Sequence, residues 1–401
     1  MGAPLHRRLA VWLSAVTLLV AAVPPSTAAA ADLVAKAETQ LSPLSSPVTV
    51  AAWKTAAAPA IIRRSNGGVC PDANGNGICD GTEPHICVSI NGRVITKRGS
   101  ARCVTVAPPA GRAPNRAVAT GANSGAYAGS PSGGRGEVGG GNTAMATGAG
   151  SHAAAGVRQT SSGNSAVARG PGAFAVSGSG EGSRNNRAMA GRGGAATAGE
   201  GDGSHSNVAT AADPAGGPTQ ARAGRAARST NNVATAKAPN AGAFAAHEGE
   251  NCHHNRATAS ARGAYAVAGR RGGVRNVADA TANFAYASAG YGPLSSRNIA
   301  MATALRAYAV SGYGDGSGDN TARAAAARCY AAAGHGPGAN GNRATCGGAG
   351  AVASAGSGGG SSRNVANAGG IASVATAGNE ERVLRGVAIA PRRGQRVVVN
   401  A

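Results

Sequence analysis

The feature that most limits how this chain can fold is a register. An asparagine recurs at Asn115, Asn142, Asn164, Asn186, Asn207, Asn232, Asn255, Asn276, Asn298, Asn320, Asn342 and Asn364, with gaps of 27, 22, 22, 21, 25, 23, 21, 22, 22, 22 and 22 residues. Each opens the pattern Asn-x-Ala-x-Ala. The second residue after the anchor is Ala in all twelve copies, and the fourth is Ala in eleven and Cys346 in the other. Codon bias enriches alanine but does not place it at fixed offsets. A period of a few tens of residues marks a solenoid, a propeller or an array.

Each unit has a second half. Ten or twelve residues after the anchor stands an aromatic residue in seven units: Tyr127, Phe174, Phe244, Tyr265, Tyr286, Tyr308 or Tyr330, usually flanked by Ala. Gly, Ser, Asn, Asp and Pro, the turn formers, lie between the halves. Two short alternating segments per unit, each bounded by turns, predict two strands per coil. Side chains alternate along a strand, so the paired alanines share one face. An outward position has no reason to be held to Ala twelve times over, whereas the interior of a thin coil does. Ala is therefore assigned inward and the aromatic slot outward; aromatics filling an Ala-walled interior are compatible with the same spacing.

Composition agrees with a thin coil. Of 401 residues, 64 are Gly and only 3% are aromatic, and Ala supplies most of the 42% apolar share. Too few large side chains remain for an ordinary core of this length, which argues against a doubly wound sheet or a large helical bundle. The expected fold is all-β: a β-solenoid of about twelve coils over residues 112–378, preceded by a small disulfide-stapled module. Coils stacked at about 4.8 Å make a rod of roughly 55–60 Å and bring equivalent Asn amides within hydrogen-bonding reach. Asn also tolerates the left-handed backbone of a corner, which suggests that the anchor itself sits there.

Cysteines test the register. Cys329 precedes Tyr330 in a flanking Ala position and Cys346 replaces an anchor-strand Ala, so both are expected inward on facing strands. They form a cross-core disulfide or stay as two buried thiols acting as small hydrophobes. Four more, Cys70, Cys79, Cys87 and Cys103, crowd together upstream; the expected pairs are Cys70–Cys79 and Cys87–Cys103, with Cys252 left over.

The units Asn115-Arg-Ala-Val-Ala-Thr-Gly121 and Asn142-Thr-Ala-Met-Ala-Thr-Gly148 resemble the head repeats of trimeric autotransporter adhesins. The likeness covers about residues 115–378, with a unit longer than that family's. It implies a β-roll that binds host surfaces as a trimer.

Residues 1–30 have the order of a secretory signal peptide: a basic start at His6, Arg7 and Arg8, an apolar stretch from Leu9 to Val23, then small residues. An uncleaved anchor is the competing reading. Export admits disulfides and places the mature chain outside the cell or at the cell wall, with no transmembrane segment. Residues 31–68, rich in Ala, Pro and Ser, are expected as a flexible linker, and residues 69–111 as a Cys-rich hairpin module. Within it, Asp72, Asn74, Asn76, Asp80 and Glu83 stand at positions 1, 3, 5, 9 and 12 of a loop with Gly77 at 6. That is calcium-ligand spacing, although a polar turn pinned by Cys70 and Cys79 has the same residues. The Asp-x-Asn-x-Asn-Gly-Ile-x-Asp core is similar to calcium repeats of the thrombospondin type 3 kind, which implies calcium as the bound ion. The hairpin turns at Asn91-Gly92. Residues 379–401 restore larger apolar side chains and read as a C-terminal cap.

The sequence favours a structural or adhesive role over catalysis. From Asn115 onward there are twelve carboxylates, most of them in turns. Glu181 and Asp202 fall in adjacent coils, the one pair that keeps open an extracellular polysaccharide-acting β-helix enzyme. Cys252-His253-His254, with Glu248 and Glu250 near, offers soft and imidazole ligands without regular zinc spacing and reads as a decorated loop. The expected function is a secreted or cell-surface rod that binds glycans or cell-wall polyanions, with Tyr265, Tyr286, Tyr308 and Tyr330 as an outward aromatic strip; a purely structural stack of rings fits the same positions. Thr210, Thr235 and Thr258 fill one outward slot in successive coils, as in ice-binding solenoids, but the array is short. The net charge of +21 is carried almost wholly by Arg, which points to polyanions or to GC-rich coding. Gly-Arg tracts such as Arg192-Gly193-Gly194 resemble RNA-binding segments, but export makes specific nucleic acid an unsuitable partner.

Overall fold

A computed structural model describes residues 60–63, 69–72 and 85–399, apart from 130–138, 213–218, 246–250, 270–272, 291, 313, 326–328, 349–350, 370–373, 379–381 and 391–395. All of these belong to one compact unit, Pro59–Ala401. There is no helix among them.

The repeat folds as stacked coils. Anchor segments assemble into a 15-stranded sheet and second-half segments into a 14-stranded sheet. From Arg116–Thr120 onward every anchor strand pairs in parallel with the strand one repeat away. Ala166 lies opposite Ala144 and Ala188, and Ala344 lies opposite Ala322 and Ala366, so the sequence register is the structural register.

Alanine faces inward on both sheets, as the alternation requires. Ala117, Ala119, Ala126 and Ala128 are fully buried, and so are their counterparts in later coils. Two disulfides gauge the separation of the walls. Cys329–Cys346 joins the second-half side to the anchor sheet with Cα atoms 5.9 Å apart, and Cys87–Cys103 does the same in the first coil at 5.5 Å. Ordinary stacked sheets sit about 10 Å apart. Where walls approach this closely, the gap is filled mostly by methyl groups, with Ser177, Thr105 or a disulfide at a few inward places. Burying one such methyl contributes only about 1 kcal/mol, so the backbone ladders carry much of the stability.

The anchor asparagines are the largest fully buried side chains, and they form one continuous ladder. Asn276 is representative. Its Nδ2 donates to Asn255 Oδ1 at 3.0 Å and to the Ser295 carbonyl at 3.2 Å. Its Oδ1 accepts from the backbone N–H of Asn298 at 3.1 Å and from Asn298 Nδ2 at 3.0 Å. Every polar atom of the amide is satisfied, which is the condition for burying it. Among the described residues, a glycine lies against the amide of eleven of the twelve anchors. A Cβ on Gly178 would come within 2.3 Å of Asn164 Cγ, and one on Gly290 within 2.7 Å of Asn276 Oδ1.

The left-handed corner residue is not the anchor, which corrects the sequence expectation. It is the residue before it: Asn185, Ser206, Asn231, His254, Arg275, Arg297, Asp319 and Arg363 all have φ between 53° and 57°. The anchor is already extended, because its amide has to point along the stack. Immediately upstream, a column of single-residue bridges from Ser162 to Leu384 gives the coils from that of Asn164 onward a third, minimal ladder beside their two strands.

At the N-terminal end, Ile86–Ile90 and Arg93–Arg98 form an antiparallel hairpin that turns at Asn91 and Gly92, both with positive φ. Ile86–Ile90 then runs antiparallel to Arg116–Thr120, so the hairpin covers the first edge of the anchor sheet. At the other end, Val387–Ala390 and Arg396–Val399 add one more strand to each sheet. Gly386 takes the place of a thirteenth anchor, and its N–H donates to Asn364 Oδ1 at 2.6 Å.

Candidate functional site

The outward rows form the solvent-facing surface of this scaffold. The residue before each second-half alanine points away from the core, and in-register stacking lines those residues up. Tyr265, Tyr286, Tyr308 and Tyr330 are Cα partners in consecutive coils. Their rings stack with centroids 5.1, 4.8 and 5.1 Å apart and interplanar angles of 9°, 13° and 14°. Phe244 extends the row at 5.2 Å but tilts by 57°. The Arg222 guanidinium lies 5.9 Å from the Phe244 centroid, a cation–π contact at the end of the stack.

The single aromatic slot of the sequence is two columns. Gly242, not Phe244, pairs with Tyr265, and Gly125 pairs with His152 while Tyr127 sits two residues further on. Both aromatic rings fold back over the glycine beside them. A Cβ on Gly242 would lie 3.2 Å from the Phe244 ring, and one on Gly125 3.0 Å from the Tyr127 ring. Ten-residue and twelve-residue offsets therefore mark different columns, the second needing a glycine to join the first.

Stacking occupies the ring faces and leaves the edges. Tyr308 is the most exposed ring at 38%, and the other three are half-buried. Burial raises the Tyr330 phenol above its ordinary range, and it raises Tyr127 too, with Arg102 pulling the other way. The row offers a ligand a line of ring edges at the coil spacing.

Other sequence candidates are placed as follows. Asp72 ends the strand Val69–Asp72, which pairs antiparallel with Ala60–Arg63. Asn74, Asn76, Asp80, Glu83 and Cys79 lie outside the described residues, as do residues 1–58 with the signal segment. Asp202 accepts the Glu181 backbone N–H at 2.8 Å, so its carboxylate is engaged in closing the turn of the preceding coil. Cys252 is fully buried at the inward corner place held by Ser183, Ser204, Ser229, Ser295 and Ser317 in other coils, its carbonyl accepting from Asn232 Nδ2. His253 is half-buried and His254 exposed. Thr230 Oγ1 meets His253 Nδ1 at 2.5 Å, and Asn231 Nδ2 meets His254 Nε2 at 3.3 Å. Burial lowers the His253 imidazole, and neighbouring His254 adds to the effect. Among the described residues no three His, Cys, Asp or Glu side chains gather as a metal-binding set. Thr210, Thr235 and Thr258 do share one outward column, which Asp279 ends.

The structure also finds a place for much of the arginine excess. Seven arginines (Arg228, Arg275, Arg297, Arg306, Arg363, Arg382 and Arg385) occupy left-handed corner positions, where their side chains leave the coil. Sequence reasoning put arginine on turns but did not see that several share one corner, because turn residues carry no alternation. The position before the anchor locates Arg275, Arg297 and Arg363, and Arg385 precedes Gly386 in the same way, whereas Arg228, Arg306 and Arg382 stand at other corners. Compared with known protein families, curated proteins and solved structures, the chain matches none.

Proposed function

We propose that this is a non-catalytic, secreted or cell-surface structural and adhesion protein, whose solenoid presents repeating rows of side chains to glycans or cell-wall polyanions. The observation that carries this reading is the tyrosine row: aromatic rings held in line on the outside of a core too thin to need them. Aromatic edges beside arginine suit hydroxylated and acidic polymers. Two disulfides across the core support an oxidising compartment. Calcium binding at Asp72–Glu83 rests on sequence spacing, and titrating the full chain with calcium tests it.

The binding test is co-sedimentation with insoluble polysaccharide and with peptidoglycan. Wild-type protein is compared with the quadruple variant Tyr265→Ala, Tyr286→Ala, Tyr308→Ala and Tyr330→Ala. Loss of binding with an unchanged circular dichroism melt supports the reading, while undiminished binding removes the tyrosine row from it. Shortening of the polymer during the assay would favour the polysaccharide-acting enzyme instead.

A further inference from the structure

The corner that precedes the anchors carries a second surface, on a different side of the coil from the tyrosines. In three consecutive coils it reads His253-His254, Val274-Arg275 and Ser296-Arg297, and these six residues line an open groove of about 390 Å³. His253, Val274 and Ser296 pair as single-residue bridges and form its floor. His254, Arg275 and Arg297 are exposed along its side.

Three observations distinguish this groove from a charged surface of ordinary kind. First, its polar side chains stand where the backbone disfavours them. His254, Arg275 and Arg297 have φ of 57°, 57° and 54°, a conformation suited to Gly and Asn. The same place holds Gly141, Gly163, Asn185, Asn231 and Gly341 in other coils. Second, the corner is rigid. Arg275 N–H donates to the His253 carbonyl and Arg297 N–H to the Val274 carbonyl, each at 2.9 Å, so the corner backbones that carry these side chains are spaced by the β-ladder at about 4.8 Å. Third, the row ends on a carboxylate. Asp319 holds the Arg297 guanidinium at 2.7 Å, whereas Arg275 has no carboxylate partner among the described residues.

We propose that this groove binds a linear acidic polysaccharide, laid along the coil axis with successive carboxylates against His254, Arg275 and Arg297. The inference rests on the reading of the solenoid as a surface-binding rod and names the polymer class for one face of it. The groove is open rather than enclosed, which suits a chain passing through. Guanidinium forks match carboxylate geometry. The aromatic rings of the neighbouring sheet have their faces covered by one another, so single-stranded nucleic acid would lack a stacking platform.

The test uses the full chain, polygalacturonate, its methyl-esterified neutral form and a DNA duplex, with affinity measured at physiological salt. Arg275→Asn/Arg297→Asn removes two charges while installing the residue that Asn185 and Asn231 already carry at this corner, so the fold is kept. Arg323→Gln/Arg343→Gln removes the same charge from the exposed face of the anchor sheet. The proposal expects the corner pair to lose about tenfold or more in polygalacturonate affinity, the control pair to stay within about twofold, and Asp319→Asn to bind more tightly. Equal losses for the two pairs, or a duplex bound as well as the polyuronate, would overturn it in favour of bulk charge. Polygalacturonate binding lost in the tyrosine variant but intact in the corner pair would overturn the groove and leave the rod reading standing. Absence of binding to any polysaccharide or wall fragment would remove both.

Discussion

Replacing Asn276 by Ala is the sharpest perturbation of the ladder. Four hydrogen bonds disappear: two donated by Nδ2, to Asn255 and Ser295, and two accepted by Oδ1, from Asn298 N–H and Asn298 Nδ2. The Ser295 carbonyl keeps the Val274 N–H at 3.0 Å, but the buried Asn298 N–H is stranded. At about 1 kcal/mol per bond, and more for a stranded donor, the loss is about 4–6 kcal/mol. Because coils interact with nearest neighbours, the damage should stay local. Native-state hydrogen exchange reads it directly. Protection of the Asn298 amide should fall by roughly a thousandfold or more, while amides near Asn142 hold. Asn276→Asp keeps the volume but turns oxygen toward Asn255 Oδ1 and the Ser295 carbonyl, so it should not rescue. Asn283→Ala, at an exposed site, is the control. A loss of less than about tenfold for Asn276→Ala, or a rescue by Asp, would refute the hydrogen-bond account.

Other expectations are simpler. Ala278→Leu pushes three extra carbons into a gap sized for a methyl and should cost more than about 1–3 kcal/mol, read as loss of the β-sheet melt. Cys329→Ala/Cys346→Ala restores the alanines of other coils but opens a 17-residue cross-link, for about 3 kcal/mol of stability in urea. Alkylation of these cysteines in native protein without reductant would contradict the pairing. Burial holds His335 below the ordinary imidazole range, so the unfolded chain protonates first. Its contribution to stability is then complete above about pH 6.5 and declines as pH falls, and His335→Gln should flatten that slope in urea titrations.

Much of this fold could be read from the chain, and the unread parts share a cause. Inward alanine was legible because the interior takes only small side chains, and the same restriction placed Cys329 and Cys346. The Asn ladder was legible because a buried amide has to meet its own kind one coil away. The residue before the anchor was not, because a left-handed corner facing solvent constrains φ and little else: Gly, Asn, Ser, His, Arg and Asp all occur there. The bridge column escaped notice because one residue per coil has no alternation. The glycine under each amide was visible fourteen residues after most anchors, as at Gly129 and Gly290, yet it looked like a turn residue. Of the two surfaces proposed for binding, the tyrosine row was legible from spacing, while the corner groove needed to be assembled in space.

The direction of the Asn ladder has a consequence for how the chain is built. Each Nδ2 and N–H reaches back to the Oδ1 of the preceding anchor, from Asn142 on Asn115 to Asn364 on Asn342. Within the Asn–Asn ladder the accepting Oδ1 is on the earlier coil and its donors are on the later one, while each Nδ2 also donates forward to a carbonyl of the next coil. A coil added at the C-terminal end therefore meets an unpaired Oδ1 acceptor and an unpaired N–H of Nδ2 on the coil before it. The anchor amide dipoles, all aligned, give the ladder an electrical polarity along the stack.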